Sequence, residues 1–144
     1  KMVAFTEYVW AKEKEKLMGK KIQRLPDSEL DIMLALWNGH PEMTRMEIEA
    51  FVNRKKGLAP TTILSLLARL EKKEFVSVKK EGKTNLYTPL IRRETYQQQE
   101  SKSVLEKLYG NSIKNFVAAL YQGENVNEKQ LKELQEFLQE MEEG

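Results

Sequence analysis

The apolar positions of this 144-residue chain change their period along its length, and the changes divide it into parts. Over Pro60 to Lys73, Ile63, Leu66, Leu67 and Leu70 recur at i, i+3, i+4 and i+7. That is the spacing of a buried helical stripe. At about 100° per residue, Thr61, Ser65, Ala68 and Lys72 fall opposite the stripe, with Thr62 and Arg69 on one flank. The outer face is small, hydroxylated and basic, and no acid occurs from Leu58 to Leu70.

Two shorter helices are predicted before it. Leu30, Met33, Leu34 and Trp37 give the stripe of the first. Asp27 or Ser28 is expected to cap it, and Asn38-Gly39-His40-Pro41 to stop it, with Gly39 in a left-handed conformation. Thr44 followed by Glu47 is a capping box that opens the second, whose apolar side is Met46, Ile48, Phe51 and Val52. The run Asn53 to Gly57 ends it with basic residues and a glycine. Pro60 then falls in the first turn of the third helix, where its missing N–H costs nothing. The solitary histidine, His40, reads as a solvated loop residue.

After Lys73 the pattern turns to strands. Phe75, Val76 and Val78, then Leu86, Tyr87 and Thr88, are β-prone, and Lys79 to Asn85 between them is basic and holds Gly82. Pro89 closes the second strand. Three helices followed by such a hairpin make a winged helix-turn-helix, with Lys79, Lys80 and Lys83 at the wing.

From Ile91 onward the chain reads as helical. One helix covers Glu94 to Leu108 and turns apolar late, at Val104, Leu105 and Leu108. Gly110-Asn111 breaks it. Ser112 caps the next, with Ile113, Phe116, Val117, Leu120 and Tyr121 on one stripe that ends at Gly123. Asn127 caps the last, where Leu131, Leu134, Leu138 and Met141 follow an a/d spacing. Three thin helices cannot bury this much apolar surface alone, so self-association is expected, through Leu105, Leu108, Phe116, Leu120, Leu131, Leu134 and Leu138. The fold class is therefore mainly α. A winged helix-turn-helix over residues 25–91 precedes an α-helical dimerisation domain over 92–144. Residues 1–24 are an extension, with a charged helical stretch and an apolar end at Phe5, Tyr8 and Trp10.

Charge sharpens the picture although the net is only +2. Residues 52–90 hold 9 Lys/Arg against 3 Asp/Glu, whereas residues 25–51 hold 1 against 6. The basic block coincides with the third helix and the wing, and local charge makes the footprint on a phosphate backbone. The residue pattern thus points to DNA in the major groove read by the 60–73 helix, through Thr61, Thr62, Ser65, Arg69 and Lys72. A winged helix whose outer face meets a protein instead is the alternative. One histidine, no cysteine, no glycine-rich phosphate loop and no converging carboxylates leave no nucleophile–base pair, so an enzyme is not expected, and neither is a cofactor. Zero cysteines exclude disulfides and thiolate metal sites and fit a reducing cytoplasm, and no 18-residue apolar run or signal peptide is expected.

The stretches LPDSELDIMLALW, APTTILSLLARLEKKEFVSVKKEGKTNLYTPLI, SKSVLEKLYGNSIKNFVAAL and NEKQLKELQEFL resemble the penicillinase-repressor family (BlaI/MecI, with the copper-responsive CopY branch) over roughly Leu25 to Met141. The resemblance implies a dimeric repressor that binds double-stranded, inverted-repeat operators, usually of β-lactam-resistance genes. It puts Thr62, Ser65 and Arg69 on the groove-facing side of the recognition helix and Lys79, Lys80 and Lys83 on the wing. Two positions depart from it. Relatives often have a basic residue where this chain has Thr61, and Arg or Gln where it has Leu64. A leucine there could contact a thymine methyl or simply pack. The resemblance also implies a regulatory protease as a partner, because classical members are cleaved at an Asn-Phe bond. The matching positions here are Ser103 and Val104. Copper sensing uses C-terminal cysteines, which this chain lacks.

Overall fold

The computed structural model describes residues 22–144. The expected helical stretch with Phe5, Tyr8 and Trp10 lies outside the described residues. Six helices and a two-stranded antiparallel sheet follow in the order α1 (Asp27–Asn38), α2 (Arg45–Val52), α3 (Pro60–Lys72), β1 (Val76–Glu81), β2 (Thr84–Pro89), α4 (Arg93–Tyr109), α5 (Ile113–Gln122) and α6 (Glu128–Glu143). The chain divides into two compact units, one ending at Glu100 and the other running from Ser101 to Gly144.

In the first unit α1 is the central element, touching α2, α3 and β2. Its buried residues are Glu29, Ile32, Met33, Ala35 and Leu36, while Leu34 is exposed. Of the stripe expected from Leu30, Met33, Leu34 and Trp37, Met33 is buried and Leu30 and Trp37 pack against the core, while Ile32, Ala35 and Leu36 widen the buried face on the side away from Leu34. Contact with three elements buries more of the helix than one stripe describes. Neither Asp27 nor Ser28 caps α1. Pro26 holds the cap position with extended backbone and no side-chain bond, and its carbonyl accepts from Leu30 N at 2.9 Å. Asp27 and Glu29 still place negative charge at the positive end of the helix.

Gly39 is not left-handed either; its φ of −92° and ψ of −158° are extended. A larger residue there would have to displace the buried Met43 side chain. A Cβ would lie 2.4 Å from Met43 Sδ and 3.0 Å from the Ala35 carbonyl. Met43 is packed so closely because its backbone pairs with Tyr87 in both directions, N–H to O at 3.0 Å and O from N–H at 2.8 Å. This single bridge, which the sequence pattern does not announce, lays the α1–α2 connection along the outer edge of β2.

The capping box at α2 is present. Thr44 Oγ1 accepts from Glu47 N at 3.2 Å, and Glu47 Oε1 accepts from Thr44 N at 2.9 Å. Ile48 and Val52 are buried, but Met46 is exposed, so the apolar side of α2 is narrower than expected. His40 is exposed in the loop, as expected, and its Nε2 lies within hydrogen-bond distance of Glu47 Oε2, at 2.5 Å. The Thr44 N–H and then His40 hold the Glu47 carboxyl below its usual range.

Two residues end α3. Glu74 takes φ +64° and Phe75 N donates to the Leu70 carbonyl at 2.9 Å, while Glu74 N donates to Glu71 O at 3.0 Å. This is a Schellman motif, closed by burial of Phe75 and Leu70. The hairpin that follows is longer than expected. Lys79 to Glu81, Thr84 and Asn85 belong to the strands, and Glu81 pairs with Thr84 across a turn of only Gly82 and Lys83. Gly82 has φ +65° and the next residue is not left-handed, the pattern of a type II′ turn. A two-residue turn fixes the register from Glu81–Thr84 down to Val76–Pro89.

The first unit continues past Ile91 into the first two turns of α4. Tyr96 is buried, with its ring 5.8 Å from that of Trp37 and 6.0 Å from that of Phe75, and its hydroxyl accepts from Leu25 N at 3.0 Å. Trp37 Nε1 donates to the Ile91 carbonyl at 2.8 Å, and Ile22 N to Gln99 Oε1 at 2.8 Å.

In the second unit, Gly110 and Asn111 are both left-handed and end α4. Ser112 caps α5 through Asn115 N, and Asn127 with Gln130 makes a capping box on α6. Gly123 ends α5 but keeps a negative φ; Glu124, at φ +59°, is the left-handed residue. No residue of α5 or α6 is fully buried.

Candidate nucleic-acid interface

The outward face of α3 is set by what holds its inner face. Ile63, Leu66, Leu67 and Leu70 are all buried, and that leaves Thr61, Thr62, Leu64, Ser65, Ala68, Arg69 and Lys72 exposed on one side. Pro60 opens the helix with no acid in the first turn, so the positive end of its dipole is uncompensated. Thr61, Thr62, Ser65 and Arg69 line a shallow depression of about 390 Å³, floored by Leu66. Lys72 lies on the same side in the last turn.

The approach to α3 is pinned by side chains. Asn53 acts as a surrogate strand for the α2–α3 turn: its Oδ1 accepts from Leu58 N at 2.8 Å and its Nδ2 donates to the Leu58 carbonyl at 3.3 Å. Lys56 Nζ pairs with Asp31 of α1 at 2.6 Å, which raises the lysine above its usual value. At the other end of α3, Lys73 Nζ pairs with Glu29 Oε1 at 2.5 Å, and Glu29 is only 2% exposed. Part of the basic block is therefore paired with acids of the same unit: those of α1 hold the two lysines that flank α3.

The remaining cations divide cleanly from these. Among the described residues, none of Arg69, Lys72, Lys79, Lys80 and Lys83 forms an ion pair. Lys79 and Lys80 are exposed on β1 and Lys83 is exposed in the turn. The structure thus brings Thr61, Thr62, Leu64, Ser65, Arg69 and Lys72 onto one helix face and the three wing lysines onto one hairpin. Exposed Lys55, in the α2–α3 turn, is a further cation without an ion pair that the periodicity did not single out.

The residues expected at a dimer contact all lie on α4, α5 and α6. Leu105, Leu120 and Leu131 are half-buried. Leu108, Phe116, Leu134 and Leu138 are exposed, as are Ile113, Met141 and Phe137. Phe137 falls outside the a/d spacing, which is why the seam pattern passed over it. Among the described residues no group of three or more His, Asp or Glu is placed to hold a metal ion, and no helix is long and apolar enough to cross a membrane.

Three helices, a hairpin wing after the third, and a short strand-like bridge at its base define a winged helix-turn-helix protein with an appended helical unit. The penicillinase repressor family model matches residues 25–140, and the chain belongs to that family. The penicillinase repressor of Bacillus licheniformis is 29% identical over 121 residues, covering 84% of this chain and 94% of that one. The methicillin resistance regulatory protein MecI of Staphylococcus aureus strain N315 is 26% identical, covering 84% and 98%. Among solved structures, the monomeric form of Bacillus licheniformis BlaI in complex with the blaP half-operator is 32% identical over 53% of this chain and 92% of that one, with a TM-score of 0.46.

Proposed function

We propose that this chain is a transcriptional repressor that binds double-stranded operator DNA as a homodimer. α3 enters the major groove and the β1–β2 wing lies against the phosphate backbone. The observation that carries this reading is the outer face of α3. It is hydroxylated and basic, free of acids over its first three turns, and its cations are unspent while those beside it are paired internally. Thr61, Thr62, Leu64 and Ser65 sit in the N-terminal half, the part of a recognition helix that meets base edges. Arg69, Lys72, Lys79, Lys80 and Lys83 meet phosphates, which position the protein and make binding salt-dependent.

Dimerisation is supported by the second unit, whose apolar stripes stay open in a single chain. Ile113 is 67% exposed and Leu138 51%. A two-fold dimer presents two copies of α3 at fixed separation. The operator is then an inverted repeat with half-sites about one helical turn apart, or a multiple of it. The relatives named as penicillinase repressors and methicillin resistance regulators support β-lactam-resistance genes as the regulated set. A regulatory protease acting at Ser103–Val104 would meet a bond inside α4, so that helix must open before cleavage.

The test is fluorescence anisotropy of the full chain on the promoter DNA adjoining its own gene, across a salt series. Binding is sequence-selective and weakens steeply with salt. Arg69→Ala lowers affinity on all sequences and reduces the salt slope by about 1. An Arg69→Ala protein with parental affinity and slope removes Arg69 from the interface, and salt-insensitive, unselective binding by the parent refutes the reading.

A further inference from the structure

Leu64 is the large apolar side chain left over on α3. The inner stripe is complete without it: Ile63, Leu66, Leu67 and Leu70 are buried, and Leu64 is 43% exposed. It therefore does not pack into the core of its own unit as the other leucines of α3 do. On the helix it lies about 60° from Thr61, 40° from Ala68 and 140° from Arg69, so it occupies the flank opposite Thr62 and Arg69. That flank carries Leu64 and Ala68, with the Thr61 hydroxyl at its edge in the first turn and Glu71 in the last. One side of α3 thus offers donors and acceptors to a groove wall, and the middle of the other is hydrocarbon.

A leucine pressed against phosphates or against the polar edges of bases would strip water from them and return no hydrogen bond. The major groove displays one apolar group, the C5-methyl of thymine. We infer that Leu64 is a specificity-determining residue, packing on the C5-methyl group of one thymine in each half-site. This rests on the placement of α3 in the major groove proposed above and adds to it a base identity. The flank of Leu64 and Ala68 selects thymine by its methyl group, whereas the flank of Thr62, Ser65 and Arg69 uses polar contacts.

The experiment separates the two layers. Selection of the full chain against a randomised duplex pool defines the consensus. Each consensus thymine is then replaced by deoxyuridine, which removes the methyl and nothing else. At one thymine per half-site the parent loses about fourfold in affinity, the worth of one methyl in apolar contact, and roughly fifteenfold when both half-sites are changed. In Leu64→Ala that loss disappears while losses at other thymines persist. Leu64→Met, which keeps the apolar reach, retains it and serves as the folded control. If no thymine shows a methyl dependence, or every dependence survives in Leu64→Ala, the inference is overturned while base reading by α3 stands. If selection yields no consensus, base reading by α3 falls and this inference with it.

Discussion

Replacing Glu29 by Gln tests whether α3 is held at its C-terminal end by a buried ion pair. Glu29 is almost fully buried and its carboxylate lies 2.5 Å from Lys73 Nζ, while the Lys73 side chain keeps 20% of its exposure. At an effective dielectric of about 20, two unit charges at that separation attract by roughly 7 kcal/mol. Desolvation offsets most of this, and removing one partner of a buried pair typically costs about 3–5 kcal/mol. Lys73 can swing part of its charge back into water, so the cost here falls to about 2–3 kcal/mol. With a urea slope of about 1 kcal/mol per molar for a unit of this size, the midpoint drops by about 2–3 M. The assay is urea unfolding followed by tryptophan fluorescence in a Trp10→Phe background, which leaves Trp37, in the first unit, as the reporter. The double variant Glu29→Met/Lys73→Met recovers most of the loss, because a packed apolar pair has no charge to strand. A shift below about 0.5 M for Glu29→Gln, or a double variant worse than the two single ones together, refutes the argument.

Other outcomes follow from the same geometry. Glu74 holds a left-handed backbone at the end of α3, so Glu74→Gly stabilises the first unit by up to about 1 kcal/mol, read as a higher urea midpoint. The Glu47 carboxyl is held below its ordinary value of 4.5 by the Thr44 N–H and His40. Its contribution is present above pH 4.5 and lost as pH falls through the depressed value, so the parent loses more stability than Glu47→Gln between pH 6 and pH 3. A pH profile of the midpoint that is parallel in both proteins would contradict this. Leu138→Asp, on the open stripe of α6, yields monomers by light scattering and weakens operator binding, since each monomer holds a single half-site.

The elements were legible in the sequence where one local rule governs them. Four leucine-class residues at helical spacing located α3 and its inner face, and Thr44 with Glu47 located the start of α2 down to the cap hydrogen bonds. The first helix was harder, because a stripe describes burial against one neighbour and α1 has three. A glycine read by its commonest use, a left-handed turn, fails at Gly39, where the backbone is extended and the side chain of Met43 fills the space a Cβ would take. The candidate site was legible as a set of exposed residues. What was not legible is which cations are spent. Lys72 and Lys73 are adjacent in the chain, and only the position of Glu29, 44 residues away, sends one inward. Likewise nothing local distinguishes Leu64 from its neighbours except the completeness of the stripe it does not join.

The bridge between Met43 and Tyr87 has a consequence for how this protein avoids misassociation. A two-stranded sheet offers two open edges, and each is a template on which another chain can add a strand. Here the α1–α2 connection occupies part of the edge of β2 through both backbone groups of Tyr87. The edge of β1 is left to a six-residue strand whose outer half is Lys79, Lys80 and Glu81, all exposed. Charged side chains on a short edge strand disfavour the addition of another strand. Lys79 and Lys80, proposed to meet DNA, are thus also the charges that guard the edge of β1. Neutralising both weakens operator binding and leaves, in the unbound protein, a more adhesive edge.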